Sequence, residues 1–283
     1  MLVVRLVHHL VPALVFGALA ASSAAAKSWP TPAGGPSASG DPEVLFTFDD
    51  GPNPTYTPQI LDILAEHHIH AVFFMVGEMV DSRSKKVPAI VERILREGHV
   101  LANHTRSHAD LCRLKDPARA AAEIDEGKAS IERMAHVPVV WFRAPFGVRC
   151  TRLEAQLAER TTSHMHWDLD PQEWKTQDAA QTVAYVTRAL ARAHGRNVLL
   201  MHDIHAVSVK ALPQILTWIA EENTRRGAAK ERPIRIVQAP TLAAEQLPAG
   251  LAAWSTDTLA HLAGLRDDVV AVLPPVRERH VQR

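Results

Sequence analysis

Seven short strand-like runs, most of them rich in apolar residues, recur along the chain, at Val44–Phe48, Ala71–Gly77, His99–Asn103, Val139–Arg143, Ser163–Asp168, Asn197–His202 and Ile234–Val237. Runs of this length, apolar on both faces, read as buried strands. Between them the apolar positions shift to a helical period, as in Pro58–His68, Pro117–His136 and Ala179–His194. Strand followed by helix, repeated, predicts an α/β fold built on a parallel sheet. A closed or nearly closed barrel of seven or eight β/α units is expected, with an open doubly wound sheet as the alternative.

The pattern changes at both ends. Arg5, the apolar stretch Leu10–Ala21 and the small residues Ala24-Ala25-Ala26 predict an export signal over 1–26. Its apolar core falls short of the roughly 20 residues of a spanning helix, so cleavage is favoured over a retained anchor. Residues 27–42, rich in Ser, Pro, Gly and Ala, read as a flexible leader. The barrel is expected over 43–238 and a helical extension with a tail over 239–283. In that extension Leu242–Arg266 has helical spacing broken at Pro248-Ala249-Gly250, which suggests one or two short helices on the barrel's outside.

Composition narrows the partner more than the fold. With 47% hydrophobic residues in 283, the chain can bury a large core. Its 31 basic and 31 acidic residues cancel, which removes the electrostatic case for nucleic acid or an anionic membrane surface.

Polar residues collect where the predicted strands end: Asp49 and Asp50 after the first, His104 and His108 after the third, Arg143 and Pro145 after the fourth, Asp170 and Trp174 after the fifth, His202 and Asp203 after the sixth. In a parallel barrel these ends share one rim, where active sites form. Adjacent carboxylates at a strand end call for a cation, a proton or solvent. His104 and His108 are spaced so that a helical turn would project both imidazoles from one face. Two imidazoles and a carboxylate leave room for water, the arrangement of catalytic zinc. Asp50 is taken as the carboxylate of that set, leaving Asp49 as a base. Export would place Cys112 and Cys150 in an oxidising compartment, and if their two loops share the rim a disulfide is geometrically reasonable, with free buried thiols as the alternative.

Five segments carry a resemblance: Thr-Phe-Asp-Asp-Gly-Pro at 47–52, His-Thr-Arg-Ser-His at 104–108, Arg-Ala-Pro-Phe-Gly at 143–147, Asp-Leu-Asp-Pro-Gln-Glu-Trp at 168–174 and Leu-Leu-Met-His-Asp at 199–203. Their order and content resemble the motifs of the polysaccharide deacetylases, the NodB-homology group of carbohydrate esterase family 4. The resemblance implies a distorted barrel of the NodB type and hydrolysis of acetyl groups from N-acetylated glycans. It implies one divalent metal ion, usually zinc in this family, held by Asp50, His104 and His108. By the same resemblance Asp49 is the base, Arg143 holds that base in position, His202 is the general acid and Asp170 holds His202, with Asp168 as a nearby alternative for that task. The backbone N–H of Phe146 is implied as an oxyanion donor, and Trp174 and Leu200 as the apolar pocket for the acetyl methyl. Where most family members have tyrosine this chain has Phe146, a change that removes a side-chain hydroxyl and leaves a backbone donor intact. The competing classes are an amidohydrolase of the same fold acting on a small amide or imide, and a non-catalytic glycan-binding barrel. Periplasmic or secreted location follows from the export signal.

Overall fold

A computed structural model describes residues 40–246. The expected signal at 1–26, leader residues 27–39 and the extension past 246 lie outside the described residues. Strands and helices alternate as β1 (Glu43–Asp49), α1 (Thr57–Glu66), β2 (Val72–Met75), α2 (Gly77–Val80), α3 (Val87–Arg96), β3 (Val100–Asn103), α4 (Pro117–Ala135), β4 (Trp141–Phe142), α5 (Thr151–Glu159), β5 (Ser163–His164), α6 (Glu173–Thr176), α7 (Ala179–Ala191), β6 (Arg196–His202), α8 (Ala206–Ala228), β7 (Arg235–Ile236) and α9 (Ala239–Gln246).

Local chemistry sets several of these boundaries. In α3, Val87, Ile90, Val91 and Ile94 are buried at the spacing that forms one helical stripe. Asp116 accepts the Ala118 N–H to cap α4, and Asp178 accepts from Ala180 and Gln181 to cap α7. Each carboxylate satisfies donors that the first helical turn leaves unpaired.

All pairings are parallel, in the order β5-β4-β3-β2-β1-β6, with β7 pairing the first residues of β1. The sheet curls so far that the chain beyond β5 meets β6 at the bridge Leu169↔Leu199, the one isolated bridge among the described residues. Leu169 N donates to Val198 O at 3.1 Å and Leu200 N to Leu169 O at 2.9 Å. The result is the distorted barrel, drawn nearly closed by one bridge rather than by a full strand.

Alternation along the strands sorts the core into two layers. Val44, Phe46, Phe48, Phe73 and Met75 face outward and pack with Ile60, Leu61, Ile90 and Ile215 of the surrounding helices. Leu45, Val72, Phe74, Ala102, Trp141 and Val198 face the interior. Ala239, Leu242 and Ala243 belong to that same interior cluster, and Ala239 N donates to His70 O at 3.0 Å. The start of the C-terminal extension therefore packs against the barrel's inner layer, where the sequence suggested the outside. The rest of the expected helical region, from 247, lies outside the described residues. Among the described residues no helix is long and apolar enough to cross a membrane.

Candidate active site

The strand β1 continues its inward parity from Leu45 through Thr47 to Asp49, and strict alternation would send Asp50 outward. Asp50 instead has φ 76, a left-handed backbone that breaks the alternation and turns its side chain toward the rim. Two bonds hold the turn: Asp50 N to Phe74 O at 3.2 Å and Val76 N to Gly51 O at 3.1 Å. The adjacent carboxylates are thereby given different surroundings.

Asp49 is nearly buried, and its Oδ1 accepts from Arg143 Nη1 at 2.7 Å. Its Oδ2 lies 3.7 Å from His104 Nε2. Arg143 is fully buried; it also donates to Thr47 Oγ1 at 2.8 Å and to the carbonyls of Met165 and His166 at 3.2 Å, with its guanidinium 4.0 Å above the Phe74 ring. Burial lowers the Arg143 pKa, and the neighbouring Asp49 opposes that shift.

The segment carrying His104 and His108 is a loop, not the helical turn that the spacing suggested. Thr105 and His108 both have left-handed backbones, with φ 69 and φ 60, and these two bends bring the rings together. The loop is pinned by Thr105 Oγ1 accepting from His108 N at 2.9 Å and by Glu123 of α4, which accepts from Ser107 N and Oγ at 2.8 and 2.7 Å. His104 Nδ1 lies 2.8 Å from the Arg143 carbonyl. A carbonyl only accepts, so Nδ1 carries the proton and Nε2 presents its lone pair.

Asp50, His104 and His108 each offer a ligand atom, all within 4.8 Å of one another. Asp50 Oδ1 lies 3.5 Å from His104 Nε2 and 3.2 Å from His108 Nε2, yet it is buried without any hydrogen bond. An orphaned carboxylate oxygen between two imidazole nitrogens fits a cation, which would satisfy all three at once.

On the other side of the cleft, His202 ends β6. Its Nδ1 lies 2.9 Å from Glu173 Oε1, which also accepts from the His202 backbone N at 2.8 Å. Burial alone would lower the His202 pKa, but the hydrogen bond and charge of Glu173, with the charges of Asp49 and Asp50, raise it to about 9. The partner of His202 is thus Glu173 and not Asp170. Asp170 Oδ1 instead accepts from Gln172 N at 2.9 Å, and Asp168 Oδ2 from Val198 N at 2.8 Å. Gln172 has φ 53, and this bend folds Glu173 into a fully buried position while Asp170 stays on the cleft wall. The signal for Glu173 was its place in the Asp-Leu-Asp-Pro-Gln-Glu-Trp segment, where several carboxylates competed.

Between these groups is a cleft of about 320 Å³. Phe146, Trp167, Trp174 and Leu200 supply its apolar lining, and His205 stands at its edge, 6.0 Å from the His202 ring. Trp167 was not singled out from sequence. Phe146 has φ 60 and is 66% exposed, with its ring 4.7 Å from that of His108. Cys112 and Cys150 form a disulfide with Cα atoms 6.0 Å apart, joining the segments after the histidine loop and after the Arg143 loop.

Known proteins are similar to this chain in sequence and in fold. The profile of the polysaccharide deacetylase family matches residues 37–165. A chitooligosaccharide deacetylase of Sinorhizobium fredii is 36% identical over 171 residues, covering 59% of this chain and 74% of the relative. A peptidoglycan-N-acetylglucosamine deacetylase of Bacillus cereus is 32% identical over 187 residues, covering 64% of this chain and 84% of the relative. A solved structure described as T48 deacetylase with substrate superposes with a TM-score of 0.60 at 31% identity, over 74% of this chain and 94% of that one.

Proposed function

The chain belongs to the polysaccharide deacetylase family, and on that premise we propose that it hydrolyses acetyl groups from N-acetylated glycans by a metal-assisted route. The observation that carries the metal is the buried Asp50 Oδ1, without a hydrogen bond and within 3.5 Å of both histidine Nε2 atoms. Asp50, His104 and His108 would hold the ion, and a carboxylate with two imidazoles suits zinc. Such an ion supplies Lewis-acid polarisation of the acetyl carbonyl and brings the pKa of a water toward about 7.

The chain's own residues divide the remaining work. Asp49, with Oδ1 committed to Arg143, has Oδ2 turned toward the site and takes the proton that water gives up as its oxygen bonds to the acetyl carbon. Arg143 fixes the direction of that carboxylate. The backbone N–H of Phe146 donates to the oxyanion of the tetrahedral intermediate, a bond of about 3 kcal/mol in comparable sites. His202, its Nδ1 proton directed to Glu173, presents Nε2 to the amide nitrogen and protonates it as the C–N bond breaks. Acetate and a free amino sugar result. Trp174 and Leu200 line the space for the methyl group.

The same reading extends to location. Arg5, Leu10–Ala21 and Ala24–Ala26 as an export signal, with the Cys112–Cys150 disulfide, favour a periplasmic or secreted enzyme whose barrel begins near residue 43. Acetate release from N-acetylchitooligosaccharides and from peptidoglycan fragments tests the activity; it should vanish with a strong chelator and return with zinc. No acetate from either glycan, alongside turnover of a small amide, would replace this reading with a small-amide hydrolase.

A further inference from the structure

Asp203 is a fully buried carboxylate to which the proposed reaction gives no task. It follows His202 directly, where β6 ends. Its Oδ2 accepts from Thr57 Oγ1 at 2.5 Å, and the same Thr57 oxygen accepts from Asn53 N at 2.7 Å. Thr57 is itself fully buried at the start of α1. The Asp203 carboxylate also lies against Gly51: a Cβ added there would overlap both its oxygens and its Cγ. Its Oδ1 is buried without a hydrogen bond, so the group is fitted into the turn rather than solvated.

These contacts reach the 50–57 turn from below at Gly51, Asn53 and Thr57. Asp50, which opens that turn, has no hydrogen bond on its own Oδ1, so its aim depends on the backbone behind it. Glycine at position 51 is what lets the carboxylate come close enough to support that backbone. We propose that Asp203, acting through Thr57 and Gly51, is a positioning residue for metal binding: it props the turn that begins at Asp50 and fixes the Asp50 carboxylate opposite His104 and His108. The inference rests on the reading of those three residues as the ion's ligands. Without the prop, Gly51–Asn53 can settle into the vacated space and carry Asp50 away from the two imidazoles. Loss of a group that orients a metal ligand typically weakens binding about 10–100-fold.

The test is the zinc dissociation constant of the full chain, measured by competition with a chromophoric chelator. Thr57→Val keeps the shape but cannot donate to Asp203, and it should raise the constant about 10–100-fold, as should Asp203→Ala. Thr57→Ser retains the hydroxyl and should bind zinc as the wild type does. Excess zinc should restore kcat in Thr57→Val with the glycan KM unchanged, which a general loosening of the fold would not do. If Asp203→Ala does not fold, the nearly isosteric Thr57→Val decides alone. Wild-type zinc affinity in Thr57→Val overturns the inference while leaving the proposed function standing. A wild-type protein that binds no zinc overturns both.

Discussion

Glu173 controls the proton on His202, and that control can be measured. The acid role proposed for His202 requires it to be protonated, so activity should be retained below its folded pKa and lost as pH rises through it. Glu173, with the charges of Asp49 and Asp50, raises its pKa to about 9, and a divalent ion beside Asp50 would oppose the shift. The basic limb of kcat/KM is therefore expected between the ordinary 6.5 and about 9. Glu173→Gln removes the charge but leaves the burial, so this limb should move down by more than one pH unit while zinc affinity holds. An unmoved limb would separate Glu173 from the proton transfer. Asp49→Asn should lower acetate release by about 10²–10⁴-fold, the usual worth of a general base. The placement of Asp49, Asp50, His104, His108, Arg143 and His202 at the ends of predicted strands was legible from the sequence pattern, whereas the roles expected of them came from the resemblance of the five motifs. Glu173 was not, because choosing among Asp168, Asp170 and Glu173 depends on the left-handed backbone at Gln172, which a short polar segment does not announce.

Elements were legible where burial is continuous and obscure where pairing is distant. β1 and β6 match their apolar runs because they pair with each other along seven positions. β4 and β5 shrink to two residues each, because after His164 the chain leaves β4 and crosses toward β6 at Leu169. Met165 and Leu169 are buried there as strand residues are, so the sequence does not mark where the pairing stops. The packing of α4 against the histidine loop was likewise invisible, although it makes a sharp prediction at Gly127. Replacing a helical glycine by alanine ordinarily stabilises a helix by about 1 kcal/mol. Here the new Cβ would lie 2.5 Å from both Asn103 Oδ1 and the Thr105 carbonyl carbon. Backbone cannot swing aside, and overpacking of this kind costs about 1–3 kcal/mol. Steric cost should win: Gly127→Ala is expected to lower the urea midpoint and, by shifting the loop that carries His104, to weaken zinc binding. A variant more stable than wild type with unchanged zinc affinity would show that α4 merely borders the site.

Across the whole molecule the rim carries the proposed chemistry, and the opposite end sets how the barrel tolerates acid. The Cys112–Cys150 link closes a separation of 38 residues between two rim segments, worth about 4 kcal/mol in loop entropy. Reduction should lower the denaturation midpoint accordingly, and this contribution is insensitive to acid. His99, before β3 and almost wholly buried, responds the other way. Its Nδ1 accepts the Ala71 N–H at 3.0 Å, so that nitrogen is bare, and its Nε2 is buried without a partner. Burial first, then the charges of His70 and Arg93, lower its pKa to about 3. The unfolded chain takes up this proton below about 6.5, but the folded chain does not until about 3. Stability from His99 is thus complete above pH 6.5 and lost as pH falls through that window, by about 1.4 kcal/mol per pH unit. Between pH 7 and pH 5 the loss should come to about 2 kcal/mol. His99→Asn does not titrate, and its amide oxygen can accept the Ala71 N–H. It should be less stable than wild type at pH 7 through lost packing, yet its unfolding free energy should fall by about 2 kcal/mol less on going to pH 5. The other buried histidines are common to both proteins and cancel in the comparison. Equal losses in the two proteins would mean that His99 takes up its proton alike in the folded and unfolded chains, and that acid opens the barrel elsewhere.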